Sequence, residues 1–284
     1  MLFGSILIIV CVIGGFAAMG GNPMVLWQPF EIVIVVGAAF GALVIGNPLS
    51  ILKQLKGAMR TLFQGSRHDK SSYLELMSLL YTLFKTSRSK GLLTLEAHID
   101  HPEESELFAR FPQFYQDKQA MTFLCDYLRL LTLGAAKPEE MKRLMAEDLD
   151  THAAEQDRIV GALQSVAEAT PALGIVAAVL GVIKAMASID AAPEVLGNLV
   201  GGALVGTFIG IFLAYGFLGP MAAYLRIIYE EDLKYLQSIQ AGLLAHLNGY
   251  SPAIAIEFSR KVLMSDVRPT FQEVEDATTH LQMV

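Results

Sequence analysis

Two cysteines, one tryptophan and no lysine or arginine ahead of Lys53 set this chain apart by what it does without. Cys11 lies in an apolar run and Cys125 in a polar region, so they are not placed to meet, and no disulfide framework is expected. A net charge of −7 leaves no dense basic surface for phosphate, which removes nucleic acid from the expected partners. Catalytic signatures are missing as well: there is no Gly-x-x-x-x-Gly-Lys-Ser/Thr loop, no Gly-x-Gly-x-x-Gly opening a helix and no Gly-x-Ser-x-Gly elbow. His98-x-x-His101 is the one close histidine pair, and without a third ligand at metal spacing it reads as a surface pair. No cofactor, no metal and no enzyme activity are expected.

What is present is apolar. A chain that is 53% hydrophobic yet 17% charged, with a mean hydropathy of +0.46, is expected to be part membrane and part soluble. Leu2 to Gly20 is about as long as the roughly 20 residues that cross a hydrocarbon core. A cleaved signal peptide is the competing reading, weakened because no Lys or Arg precedes the run and a second run follows at once. The second span is expected from about Phe30 to Gly46, after Trp27 as an interfacial anchor, the third from Pro171 to Ser188, and the fourth from Leu199 to Ala222. Lys53, Lys56 and Arg60 follow span two, Arg158 precedes span three and Arg226 follows span four. By the positive-inside rule both termini and the long middle segment are expected in the cytoplasm, with the loop from Asp190 to Glu194 outside. Lys184, near the outer end of span three, is expected to snorkel.

The expected fold is all-α: a polytopic membrane protein with four transmembrane helices and a large helical cytoplasmic domain. Residues 1–46 hold spans one and two, 47–165 a cytoplasmic helical domain, 166–222 spans three and four, and 223–284 a cytoplasmic C-terminal helical region. Tyr73 to Lys85 is apolar at i, i+3, i+4 and i+7, an amphipathic helix, and Asp117 to Leu133 reads the same way. Pro138-Glu-Glu favours a helix start, and with no breaker before Pro171 that helix is expected to run on into span three. Span four is expected to continue past Tyr229 to about Leu247, where Asn248-Gly249 ends it. Gly91 to Pro112 is irregular and rich in charge, which by spacing alone is a solvated turn and otherwise a docking surface.

Small residues recur at helix-contact spacing. Gly37 and Gly41 lie in span two, Gly174 with Ala178 and Ala177, Gly181 and Ala185 in span three, and Gly202, Gly206, Gly210 and Ala214 in span four. Such stripes serve packing within one chain or between chains, and their number favours assembly about a shared axis. Thr207 is a hydroxyl on an apolar face, free either to bond back to the i−4 carbonyl or to face a wet path. No carboxylate stands at membrane depth, since Glu31 and Asp190 fall near the outer interface. If the chain conducts ions, another chain must bring the ionisable group.

Three stretches carry a resemblance: Pro171-Ala-Leu-Gly-Ile-Val-Ala-Ala-Val-Leu-Gly, Val205-Gly-Thr-Phe-Ile-Gly-Ile-Phe-Leu-Ala-Tyr-Gly-Phe with Pro220, and Asn248-Gly-Tyr-Ser-Pro-Ala-Ile-Ala-Ile-Glu-Phe-Ser-Arg-Lys. The chain resembles the MotA family of flagellar stator A subunits, within the MotA/TolQ/ExbB proton-channel family, in the same order and spacing from the first span to about Phe271. The resemblance implies a homopentamer in the bacterial inner membrane, among its lipids, around a dimer of the stator B subunit. That subunit supplies the ion-binding Asp and the peptidoglycan anchor. It implies an ion-pathway and coupling set of Pro171, Gly174, Ala178, Thr207, Tyr215 and Pro220, and a charged pair, Arg88 and Glu96, that engages the rotor switch protein FliG. Sodium-using relatives look to have Thr at the position of Ala178, whose methyl cannot coordinate a cation, so protons are the expected fuel. The alternative is an ExbB- or TolQ-like energiser of outer-membrane processes, which has three spans. A purely structural scaffold would account for the small stripes but not for Pro171, Pro220 and Thr207 together.

Overall fold

The computed structural model describes residues 1–134, 137–279 and 281, and among these every regular element is helical. Two compact units emerge, one of Met1–Gly65 with Glu155–Ile227 and one of Ser66–Ala154 with Ile228–Val284.

The first unit opens with α1, Leu2–Ala18, which passes through a widened π turn at Val10–Gly14. It stops at Gly20, whose φ of +86° suits glycine. There Gly20 N–H donates to Ala17 O and Gly21 N–H to Phe16 O, the paired bonds of a Schellman ending. Helix α2, Pro29–Gly46, starts on a proline, whose missing N–H costs nothing in a first turn. Helix α3, Leu49–Gln64, is amphipathic: Ile51, Leu55, Ala58 and Leu62 are buried, and Lys53, Lys56 and Arg60 lie on the other side.

In the second unit α4, Lys70–Lys90, is capped by Asp69, which accepts from Ser72 N–H at 2.8 Å. It ends at Gly91, with φ +88°. Helix α5, Lys118–Thr132, is capped by Asp117 in the same way. The segment expected to be irregular between them is instead built of short helical turns, Leu92–Leu95, Glu96–Asp100, Pro102–Glu104 and Glu106–Ala109. Leu95, Ile99, Leu107 and Phe108 anchor these turns inward at intervals too irregular for a periodicity reading.

Helix α6, Pro138–Met186, is one helix of 49 residues, as the lack of a breaker implied. Met141, Met145 and Leu149 at its start, four residues apart, belong to the core of the second unit. After α7, Pro193–Leu213, comes a second π turn, Ala214–Leu218, and then α8, Gly219–Leu247. Helix α8 ends where Asn248-Gly249 placed it: Gly249 has φ +85°, its N–H donates to His246 O, and Tyr250 N–H donates to Ala245 O. Helices α9, Pro252–Val262, and α10, Phe271–Thr279, both pack on α4.

Three helical stretches are long and apolar enough to cross a membrane: Pro23–Gly46, Pro138–Met186 and Pro193–Leu247. Helix α1 is apolar but shorter. Exactly four crossings is therefore more than length and composition establish.

Candidate functional site

Helices α6 and α7 meet on their small residues. A methyl added at Gly174 would come 2.9 Å from the Gly206 carbonyl oxygen and 3.0 Å from Gly210 Cα. One at Gly210 would meet Gly174 Cα at 2.8 Å and Thr170 O at 2.9 Å. The neighbours are backbone, which cannot step aside, so only glycine fits. Two turns along, Gly181 faces Ala203 in the same way. The glycine and alanine stripes of spans three and four are thus occupied within the chain, and they no longer argue for assembly between chains. Gly37 and Gly41 differ, because among the described residues nothing beyond their own helix backbone lies within 4 Å of a methyl on either.

Around this seam the residues singled out from sequence fall into two groups. Gly174 is buried, while Ala178 and Thr207 are half-buried beside it. Gly174 and Gly206 bring them to neighbouring levels: a Gly174 methyl would stand 3.3 Å from Thr207 Cα, and a Gly206 methyl 3.3 Å from Ala178 N. Thr170 Oγ1 donates back to Val166 O at 2.6 Å. Thr207 makes no such bond among the described residues, so the back-bonded alternative is not the one adopted, and its hydroxyl stays available. Lys184, near the end of α6, is exposed.

The two prolines act differently on their helices. Pro171 is half-buried and α6 continues through it, although Ala167 O loses its usual donor. Pro220 is exposed and follows the π turn, in which Gly219 N–H reaches back five residues to Ala214 O. A proline at 220 cannot donate to Gly216 O and its ring crowds that carbonyl, and a widened turn relieves the crowding. Tyr215 sits in this turn with its side chain 73% exposed. The resemblance singled out Pro220 and Tyr215, and nothing in the sequence marked the π turn at Ala214–Leu218, because the pattern of side chains is blind to one added residue per turn.

In the second unit, Arg88 closes α4 and Glu96 opens the turn Glu96–Asp100; both are exposed, and neither joins an ion pair among the described residues. Beside Arg88, His246 of α8 stacks on Phe84 at 4.6 Å, and its Nε2 lies 3.1 Å from Ser87 Oγ. Burial, helped by the Arg88 charge, pushes the His246 imidazole below its usual pKa. His98 of the histidine pair has its Nδ1 2.9 Å from Ser105 Oγ, the hydroxyl that also caps Phe108 N–H.

Sequence reasoning missed a buried cluster. His68 Nε2 lies 3.2 Å from Asp232 Oδ1 and 3.5 Å from Asp117 Oδ2, and its ring stacks on Tyr235 at 3.9 Å. Burial pushes the Tyr235 and Tyr73 phenols up, and the Cys125 thiol to about 12, so that cysteine is inert. Asp117 was legible only as the start of an amphipathic stretch, and its place in this cluster needs partners about fifty and more than a hundred residues away.

A close-packed pair of helices offering a hydroxyl, with no carboxylate in the apolar stretches 169–189 and 195–229, has the character of a channel-type membrane subunit. Comparison with known proteins agrees. Residues 2–91 match the motility protein A N-terminal family and residues 116–238 the MotA/TolQ/ExbB proton channel family. Motility protein A of Salmonella typhimurium is 43% identical over 276 residues, covering 97% of this chain and 94% of that protein. The flagellar MotAB stator complex from Bacillus subtilis contains a chain that is 26% identical, with a TM-score of 0.71, covering 93% of this chain and 94% of that one. MotAB of C. jejuni, at 22% identity and a TM-score of 0.78 over 93% and 95%, shares the fold. The chain belongs to the motility protein A family, the A subunits of the flagellar stator.

Proposed function

We propose that this chain forms, with a stator B subunit, a proton channel of the bacterial inner membrane that converts proton flow into torque on the rotor switch complex. The observation that carries the reading is the Thr207 hydroxyl, half-buried and unbonded among the described residues, where two close-packed helices run through stretches, 169–189 and 195–229, that hold no acid. A proton path through hydrocarbon needs an ionisable group at depth. The B subunit supplies it as an Asp, and anchors the assembly to peptidoglycan. Thr207 and Ala178 face that Asp, and the Ala178 methyl, offering no oxygen, leaves the site to protons rather than sodium.

Coupling uses the proline positions. At Pro171 a missing backbone bond lowers the cost of bending α6. At Pro220 the π turn stores a second adjustable point, with Tyr215 and Gly174 on the same path. Arg88 and Glu96, exposed and uncommitted, meet complementary charge on FliG. Five copies surround two B subunits, with both termini in the cytoplasm and four crossings. Helix α1, about 26 Å long at 1.5 Å per residue, comes close to the roughly 30 Å core. Residues 1–46 and 166–222 form the membrane part, and 47–165 and 223–284 the cytoplasmic part. The match of residues 2–91 to the motility N-terminal family favours this reading over an outer-membrane energiser.

Pro171→Leu tests it. The variant is expected to assemble in the membrane at the normal level and to abolish swimming; normal swimming would overturn the coupling role. Arg88→Glu is expected to lose swimming and to regain it with an opposite reversal on the switch protein.

A further inference from the structure

At the Gly46 end of α2 the first unit holds an open groove of about 700 Å³. Leu43, Ile51 and Val166 give it apolar walls, Ser50 and Ser165 add hydroxyls, and Arg158 stands at its edge. No Asp or Glu lines it. Arg158 is exposed and joins no ion pair among the described residues, and Ser50 is likewise unbonded there. Helix α3 begins beside it, behind Pro48, with no side-chain cap, so its first amides add partial positive charge.

We propose that this groove seats an anionic phospholipid of the membrane, its phosphate on Arg158 and the start of α3 and its upper acyl chains along Leu43 and Val166. The proposal rests on reading α2 and the later part of α6 as membrane spans, which puts the groove at a membrane interface. A lone arginine over apolar walls at that depth matches a lipid, which brings phosphate and hydrocarbon on one molecule. A second copy of the chain fits less well. Residues 1–30, 32–68, 169–189 and 195–229 hold no carboxylate, so only Glu155, Asp157 or Glu168 of a neighbour's α6, outside its membrane stretch, would pair with Arg158. Lys53, Lys56 and Arg60, with no acid anywhere in Leu49–Gln64, raise the local concentration of anionic lipid on the far face of the same helix.

The test uses the full-length chain with whatever subunits purify alongside it, in bilayer discs of phosphatidylglycerol and phosphatidylcholine, with retained lipid counted by native mass spectrometry. Arg158→Gln is expected to cut retained phosphatidylglycerol about fivefold, the factor one basic residue near a membrane surface supplies, and Arg158→Lys to keep most of it. Phosphatidylcholine should not change. Gly161→Leu fills the groove without touching charge, since a methyl there meets nothing within 4 Å, and it should displace the same lipid. Equal retention in wild type, Arg158→Gln and Gly161→Leu overturns the proposal. So does a smaller assembly in Arg158→Gln with lipid retention per chain unchanged, which would assign the groove to a neighbouring chain. Neither readout depends on motility, so the lipid site can fail while the stator reading stands, and the reverse.

Discussion

In the first unit Ile45 is 90% exposed and Phe3 81%, and the seam between α6 and α7 is made by Gly174, Gly206 and Gly210, although Val35, Leu62 and Leu225 are buried elsewhere in it. In the second unit Leu76, Leu79, Leu80 and Leu83 are fully enclosed, and the outside carries charges such as Arg88, Glu96 and Glu103. The two units differ in what they leave outside because they answer to different solvents. In water, burying a leucine is worth about 1.5–3 kcal/mol, so large apolar side chains form the core. Against lipid tails that drive is absent, and helices associate through close backbone approach at small residues. The contrast separates the α6–α7 seam, which holds by fit, from the core of the second unit, which holds by area.

The largest expected effect comes from exchanging the two kinds of aromatic position. Phe114→Ala empties a fully buried site and should destabilise the second unit by about 3–5 kcal/mol, read as a lowered thermal midpoint of the purified chain. Phe30→Ala, at a position 77% exposed in a membrane span, should leave that midpoint unchanged. A matching loss in both would erase the distinction between the units.

Next comes fit. Gly210→Val drives a branched side chain into the backbone of Gly174 and Thr170 and should cost about 1–3 kcal/mol, with motility lost. Gly37→Val meets open space within the chain. If it nonetheless reduces the size of the detergent-solubilised assembly, the Gly37–Gly41 stripe is a contact between copies, and the comparison moves from one chain to contacts between chains.

A smaller effect distinguishes the units by pH. Because the folded His246 imidazole has a lowered pKa, the folded chain holds fewer protons there than the unfolded chain. Its contribution to stability is complete above the ordinary histidine value and falls as pH drops through the folded one. Thermal midpoints of wild type and His246→Gln should diverge near neutral pH and converge below that window; parallel curves throughout would remove His246 as the source. Least of all is expected from the exposed pair of Lys70 and Glu273, 2.7 Å apart. Lys70 and Thr270 N–H hold the Glu273 carboxyl down to about 2, so its stabilisation is present above the ordinary glutamate value and lost as pH falls toward 2. Lys70→Ala should shift the neutral-pH midpoint barely measurably, and a shift as large as that of Gly210→Val would show the pair to be more than a surface contact.

Much of the helical plan was legible. The long helix from Pro138 through Pro171, the continuation of α8 to Leu247 and its ending at Gly249 all follow from where breakers do and do not stand. The site was legible in part. Thr207 drew notice as a hydroxyl on an apolar face, yet whether it bonds back to its own helix depends on side-chain geometry that spacing does not fix. The π turn before Pro220 and the His68 cluster were not legible, the first because it shifts backbone bonds from i−4 to i−5 without a mark in the residue pattern, the second because its partners come from distant segments.

By itself the sequence determined the long helices, where several of them stop and which segments are apolar, since breakers, glycine conformations and hydropathy act within a few residues; the short turns from Leu92 to Ala109 it left as an irregular segment. Only the tertiary structure decided what the small stripes are for. Glycines at four-residue spacing permit close approach to any helix, and here it is α6 against α7 that takes up the permission, leaving Thr207 open beside them and the span-two stripe unclaimed. That choice is a matter of which surfaces meet, and no local pattern encodes it.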